Sequence, residues 1–180
     1  MKNPKTPQKI TPVLFEPKQR PMDEGHVIAK TLLWSWHMID EVCRGYAELI
    51  TFHATHSYEF MESTELIFDR LSKRIDKKEQ LQEIKNRIKE FVNKMPGKKS
   101  QILEFYFFDC ISIGKIAKKF DLTTRTIERI IADGIDSLAK GVRLWMDKPT
   151  FVKLLKENPL IARLCDRILA GEPFQPTREQ

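Results

Sequence analysis

A chain of 180 residues with 41% hydrophobic and 31% charged residues is typical of a globular protein and disfavours disorder. No stretch approaches the roughly 18 consecutive apolar residues of a membrane span, and the amino terminus lacks the apolar centre of a signal peptide, so we expect a cytoplasmic protein with no membrane partner. The net charge of +6 allows an anionic partner. The sequence contains no glycine-rich phosphate loop, no nucleophile elbow and no recognisable carboxylate pair, which disfavours an enzyme and a bound cofactor.

The chain begins with a proline-rich segment followed by a helical one. Residues 1–21 carry five prolines among lysines and predict an extended arm, because proline fixes φ and removes a backbone donor. Asp23 is a candidate N-cap for an amphipathic helix. After it, apolar residues recur every three or four positions, at Ile28, Leu32, Trp36, Ile39, Cys43 and Tyr46. Trp34 and Trp36 are two residues apart, so only one can lie on this buried stripe. We expect the other to be partly buried, and the alternative is an exposed aromatic side chain that contacts a partner protein.

The sign of the charge changes along the chain. Residues 26–69 contain two Lys or Arg against seven Asp or Glu, whereas residues 70–100 contain 11 against four. This asymmetry favours a protein in which residues 70–100 bind a polyanion and residues 26–69 do not. The alternative is that the basic residues only form a solvent-exposed helix face. The sequence MPGKK at residues 95–99 then interrupts the helical pattern, because proline and glycine together disfavour a continuing helix.

The histidines and cysteines form no recognisable metal site. His53 and His56 lie three residues apart in HATH, and Cys43 or a carboxylate could add a further ligand. Without a third and fourth ligand at a defined spacing, such a pair is more typical of surface or helix-capping chemistry, so no metal ligand is assigned. Cys43, Cys110 and Cys165 are far apart in the sequence and predict reduced, mostly buried thiols.

The stretch SIGKIAKKFDLTTRTIERIIADGIDSL, residues 112–138, contains two amphipathic runs separated by a short turn. Ser112 can cap the first helix and Thr123 the second. Asp121 stands in the turn at a position usually taken by glycine, and Asp tolerates a left-handed backbone better than most residues. So short a turn makes the helices cross steeply, with Ile127 closing the wedge between them. The pattern predicts a helix-turn-helix, and the alternative is a plain corner in an all-α core.

The outward positions of the second helix form a polar strip near its amino terminus, which is the geometry of a helix that enters the DNA major groove. We expect Arg125 and Arg129 to reach base edges, while Lys118 and Lys119 lie nearer the phosphate backbone. The strip comprises Thr124, Arg125, Glu128, Arg129 and Ala132. The full set of predicted DNA-binding residues is Lys115, Lys118, Lys119, Thr123, Thr124, Arg125, Thr126, Glu128 and Arg129.

Residues 95–142 resemble region four of the bacterial sigma-70 family. The resemblance lies in a proline-marked start, a helix with Leu and an aromatic residue, a Ser-capped helix, and a Thr-capped recognition helix. Lys115, Ile116 and Ala117 stand where the family has Glu-Ile-Ala, and residues 123–129 stand on its recognition helix. The resemblance implies that the domain reads a promoter element and docks on RNA polymerase. The family's region two is not recognisable in residues 26–69. The resemblance therefore favours a phage or mobile-element regulator over a complete sigma factor.

The expected fold is all-α, with a helical N-terminal module, a trihelical helix-turn-helix domain and a C-terminal helix interrupted at Pro159. The expected divisions are an extended arm, an acidic module, a basic helix with the helix-turn-helix, and a C-terminal helix and tail, at residues 1–21, 22–75, 76–148 and 149–180. The expected function is sequence-specific regulation of transcription on double-stranded DNA, with RNA polymerase or a second copy bound through the acidic module. The alternative is a phage packaging or assembly protein that uses its helix-turn-helix as an oligomeric DNA clamp.

Overall fold

The computed structural model of the chain describes residues 23–56 and 63–172, so the predicted extended arm and the C-terminal tail beyond residue 172 lie outside it. Within the described residues the only regular structure is helical, which confirms the all-α expectation, and no helix there is long and apolar enough to cross a membrane. The helices are α1 Glu24–Trp34, α2 Trp36–Thr55, α3 Thr64–Asn93, α4 Lys98–Leu103, α5 Ile113–Phe120, α6 Thr124–Val142, α7 Lys148–Glu157 and α8 Pro159–Leu169.

Helix α1 packs against both α6 and α8. Ile28 and Leu32 on its apolar stripe are almost fully buried. A Cβ added at Gly25 would lie 2.7 Å from the carbonyl oxygen of Ala139, so glycine allows α1 and α6 to approach this closely. Buried side chains from α1 through α8 form a continuous core, which therefore joins the amino-terminal helices to the carboxyl-terminal ones.

The two tryptophans have different environments, as their spacing predicted. Trp36 is buried and stacks on Phe108, with 3.9 Å between the ring centroids. The ammonium of Lys85 lies 4.3 Å from the centroid of the Trp36 ring. Trp34 is half-buried against the edge of the core. The expectation of one tryptophan on the buried stripe and one partly buried is confirmed.

Helix α3 is a single helix of 30 residues with two different environments. Its second half contributes Leu81, Ile84, Ile88 and Val92 to the core, whereas residues 64–80 include no buried residue. Residues 44–55 of α2, which precede α3 in the chain, likewise include none. Helices α2 and α3 pack against each other. We call residues 44–55 and 64–80 together the α2–α3 hairpin.

A π-helical turn, Glu104–Phe108, extends α4 and directs successive aromatic side chains to different parts of the molecule. Phe107 enters the core, Phe108 stacks on Trp36, and the ring centroid of Phe105 lies 5.9 Å from that of Phe120 on α5. The turn thus links α2 to α5 through a row of aromatic rings.

The C-terminal segment consists of two helices, because the interruption predicted at Pro159 divides it into α7 and α8. Asn158 lies between them and is buried, and its side-chain amide donates to the carbonyl of Leu154 at 2.9 Å. Proline is tolerated at the first position of α8 because that residue has no helical hydrogen bond to donate.

Candidate nucleic-acid interface

Three residues, Asp121 to Thr123, connect α5 to α6, and α5 ends as its sequence predicted. Asp121 adopts the left-handed conformation, with φ of 53° and ψ of 50°. The amide of Leu122 donates to the carbonyl of Ala117 at 3.0 Å, and the amide of Asp121 donates to the carbonyl of Lys118 at 3.5 Å, which are the two hydrogen bonds of a Schellman motif. This motif ends α5 abruptly and allows α6 to start in a new direction.

The start of α6 is capped as expected. The Thr123 hydroxyl accepts from the amide of Thr126 at 3.2 Å, and the two threonine hydroxyl oxygens are 2.8 Å apart. Ile127 is fully buried and anchors the first turn. The cap satisfies one of the amide donors at the amino terminus of α6, and the outer face of the first two turns is exposed.

Two other predicted caps differ from expectation. Ser112 occupies the N-cap position of α5, but its hydroxyl makes no capping hydrogen bond, and the amide of Lys115 donates to the Ser112 carbonyl at 2.9 Å instead. Asp23 precedes α1 but does not cap it with its side chain. Its carboxylate pairs with the guanidinium of Arg143 and lies 3.6 Å from Nδ1 of His26.

The residues of the predicted DNA-binding set lie together on α5 and the start of α6. All of them are exposed except Thr126, which is half-buried beside the Thr123 cap. On α6 the exposed side chains recur on one face, as the strip requires: Thr124, Arg125, Glu128, Arg129 and Ala132. The surface carries basic side chains from both helices, with Glu128 as an acidic member.

Lys119 differs from its neighbours on α5, because its ammonium lies 3.8 Å from the centroid of the Phe105 ring. A cation held over an aromatic face is attracted to the ring and is restricted in position. Lys115 and Lys118 are exposed on the same helix. The three lysines therefore have different surroundings.

The structure also brings α1 next to this surface, which the sequence did not indicate. Nε2 of His26 lies 2.6 Å from Oδ1 of Asp136 on α6. A groove of about 300 Å³ runs between the two helices, and its lining includes Lys30 on α1 together with Glu128 and Ala132 of the strip. Lys30 is therefore a further cation at the edge of the candidate interface. No local pattern could have placed it there, since the contact joins segments about one hundred residues apart in the chain.

Tyr106 of the π-helical turn lines the same groove. Burial raises the pKa of its phenol, and the Glu128 carboxylate raises it further, so the hydroxyl stays protonated at neutral pH. A protonated hydroxyl can donate to a phosphate oxygen. Sequence reasoning missed this residue because the four aromatics of EFYFF carry no helical periodicity that marks one as outward-facing.

Much of the positive charge expected on residues 70–100 is compensated within the chain. Lys73 pairs with Asp69 at 2.6 Å, Arg87 pairs with Glu83 at 2.6 Å, and Lys85 pairs with Asp40. Pairing reduces the field that these residues present to a polyanion. The excess of basic residues on α3 therefore presents a weaker positive field than its count suggests.

Of the two histidines of HATH, His56 stands at the C-cap of α2. Nδ1 of His56 lies 2.8 Å from the hydroxyl of Thr55 and 3.1 Å from the carbonyl of Phe52, at the end of α2. In the described part of the chain, no group of three or more His, Cys, Asp or Glu side chains could hold a metal ion. Cys43 and Cys165 are buried, as predicted, and burial raises the pKa of both thiols.

The chain matches none of the known protein families, curated proteins or solved structures with which it was compared.

Proposed function

We propose that this chain is a sequence-specific DNA-binding regulator of transcription that acts at promoters together with RNA polymerase. The start of α6 enters the major groove of double-stranded DNA, with α5 lying across the phosphate backbone. The proposal includes the helix-turn-helix and the resemblance to region four of the sigma-70 family. The protein acts in the cytoplasm and needs no cofactor.

The observation that carries this proposal is the exposure of Arg125 and Arg129 on the first two turns of α6, directly after a capped turn. Arginine can form two hydrogen bonds with the O6 and N7 atoms of guanine, which is the commonest specific contact in the major groove. Lys115 and Lys118 on α5 extend the positive surface away from the helix end.

The test begins with selection of duplex sites from a randomised pool by the full chain. Arg125→Ala should then weaken binding to the selected site by about 1–3 kcal/mol and relax the preference at one or two base pairs. Lys118→Ala should weaken binding to the selected site and to an unrelated duplex alike, and it should lower the salt dependence by about one unit, because it removes a phosphate contact.

Matched controls are Arg163→Ala on α8 and Lys153→Ala on α7, which remove exposed cations away from α5 and α6. These variants should bind like the unaltered chain. The proposal fails if selection enriches no sequence, or if Arg125→Ala weakens binding to every duplex equally, as Lys118→Ala is expected to do. Binding sites of the tagged chain, mapped across its host genome, should concentrate at promoters.

A second candidate function is a DNA-packaging or assembly protein that clamps DNA as an oligomer. The apolar side chains exposed on the α2–α3 hairpin favour it, since they are suited to contacts between subunits. Light scattering distinguishes the two functions: a closed ring of many subunits supports the clamp, whereas a monomer or dimer supports the regulator.

A further inference from the structure

The α2–α3 hairpin has amphipathic helices but no buried residue of its own. An amphipathic helix must bury its apolar face against another element, and two helices alone provide little area for this. Five large apolar side chains on the hairpin are exposed, namely Leu49, Phe52, Leu66, Phe68 and Ile75. This concentration marks the hairpin as an interaction surface.

One face of the hairpin contains a groove with polar and apolar lining. A groove of about 550 Å³ lies between α2 and α3, and its apolar lining includes Ala47, Ile50 and Ile75. Phe68, which is 72% exposed, precedes Ile75 by seven residues and therefore lies two turns away on the same face of α3. The hairpin thus carries both a projecting aromatic side chain and a groove beside it.

The charges of the hairpin are separated along its length. The tip, residues 48–55 and 64–69, has three acidic residues and no Lys or Arg: Glu48, Glu65 and Asp69. The stem, residues 44–47 and 70–80, has six basic residues against Asp76 and Glu79: Arg44, Arg70, Lys73, Arg74, Lys77 and Lys78. Two such hairpins attract each other when the tip of one lies on the stem of the other, and they repel each other when tip meets tip.

We propose that the α2–α3 hairpin binds the α2–α3 hairpin of a second copy in antiparallel orientation, forming a symmetric dimer. In this dimer a two-fold axis passes between residues 68 and 75 of the two antiparallel α3 helices, so that Phe68 of each copy lies opposite Ile75 of the other. Each Phe68 side chain then enters the groove of the other copy. Each acidic tip lies on a basic stem. The dimer's role rests on the proposed function, since two copies present two α6 helices to two half-sites. Its existence is tested without DNA.

The first experiment measures self-association of the full chain by sedimentation across a wide range of concentrations. The unaltered chain should form a dimer, and Phe68→Ser should raise its dissociation constant by at least about tenfold. The matched control is Leu144→Ser, because Leu144 is 88% exposed and lies outside the hairpin. A chain that is monomeric at every concentration, or that forms a larger ring, overturns the proposal. Equal effects of Phe68→Ser and Leu144→Ser also overturn it.

The second experiment tests orientation with two charge-reversed chains, which separates a lost contact from a folding defect. One chain carries Glu48→Lys and Glu65→Lys at the tip, and the other carries Lys73→Glu and Lys78→Glu in the stem. Each alone should dimerise more weakly than the unaltered chain, and an equimolar mixture should form a heterodimer, because the reversed tip then meets the reversed stem. Failure of the mixture to associate overturns the antiparallel arrangement. If the unaltered chain dimerises but selects no DNA site, the proposed function fails and the dimer stands.

Discussion

The two halves of α3 belong to one continuous helix and differ in what surrounds them. In residues 81–92, Leu81 and Ile88 are almost fully buried in the core, whereas in residues 64–80 Phe68 is 72% exposed. Both halves are amphipathic and both are helical. The comparison shows that helical periodicity determines which face of a helix is apolar, while tertiary contacts determine whether that face is covered.

The core and the hairpin should differ most in how much free energy of unfolding is lost when an apolar side chain is replaced by a carboxylate. Ile127→Asp places a carboxylate at a fully buried position between α5 and α6, where it has no partner, and should lower the free energy of unfolding by about 3–5 kcal/mol. Ile75→Asp makes the same change on the hairpin, where Ile75 is 40% exposed, and should cost less than about 1 kcal/mol.

Chemical denaturation followed by circular dichroism measures both values, at a protein concentration low enough to keep the chain monomeric. Similar losses for the two variants would mean that the hairpin is as tightly packed as the core. A strand-rich spectrum for the unaltered chain would contradict the all-α fold itself.

A smaller difference in stability is expected when a helical glycine in each region is replaced by alanine. A Cβ at Gly134 would lie 2.6 Å from Cδ1 of Leu103, and Leu103 is buried, whereas a Cβ at Gly45 on the hairpin would have no neighbour within 4 Å. Both substitutions by alanine gain about 0.5–1 kcal/mol of helix propensity. Overpacking at Gly134 should outweigh this gain by about 1–2 kcal/mol, because cores resist added volume.

Gly134→Ala should therefore lower the melting temperature, and Gly45→Ala should raise it. Since the gain in propensity is common to both, the difference between the two variants isolates the cost of packing. A stabilised Gly134→Ala would show that Leu103 can move aside and that the contact between α4 and α6 is loose.

Much of the fold could be predicted from local patterns. The stripe through Ile28, Leu32 and Trp36 and the cap at Thr123 depend on residues only a few positions apart, so the sequence carried the information needed. The π-helical turn and the left-handed backbone at Cys110, with φ of 54°, were not predicted. These features depend on how aromatic side chains pack against distant helices.

The candidate interface divides in the same way. Arg125 and Arg129 were predicted to be exposed because helical spacing alone places them opposite Ile127. Lys30 and Tyr106 were missed, because their positions depend on the packing of α1 and the π-helical turn against α6. The alternative of an exposed tryptophan that contacts a partner was wrong, since Trp36 is buried and Trp34 is half-buried, as the main expectation had it. The exposed apolar side chains lie farther along α2 and α3, where the hairpin leaves the core.

The smallest expected effect distinguishes the helix caps of the two regions by pH. Helix α7 in the core region is capped by the Asp147 carboxylate, which accepts from the amide of Thr150 at 2.9 Å, whereas α3 in the hairpin is capped by the Ser63 hydroxyl. The hydrogen bonds from Thr150 hold the pKa of Asp147 below its usual range. The stabilisation is therefore present above the usual carboxyl pKa of about 4 and is lost as the pH falls through the lowered value.

The Thr150 amide resonance should shift in that acidic range. The amide of Leu66, which donates to the Ser63 hydroxyl, should not shift with it. Asp147→Asn caps through a neutral oxygen and should abolish the titration at Thr150 without removing the helix start. A Thr150 resonance that still titrates in this variant would show that another carboxyl group acts at the amino terminus of α7.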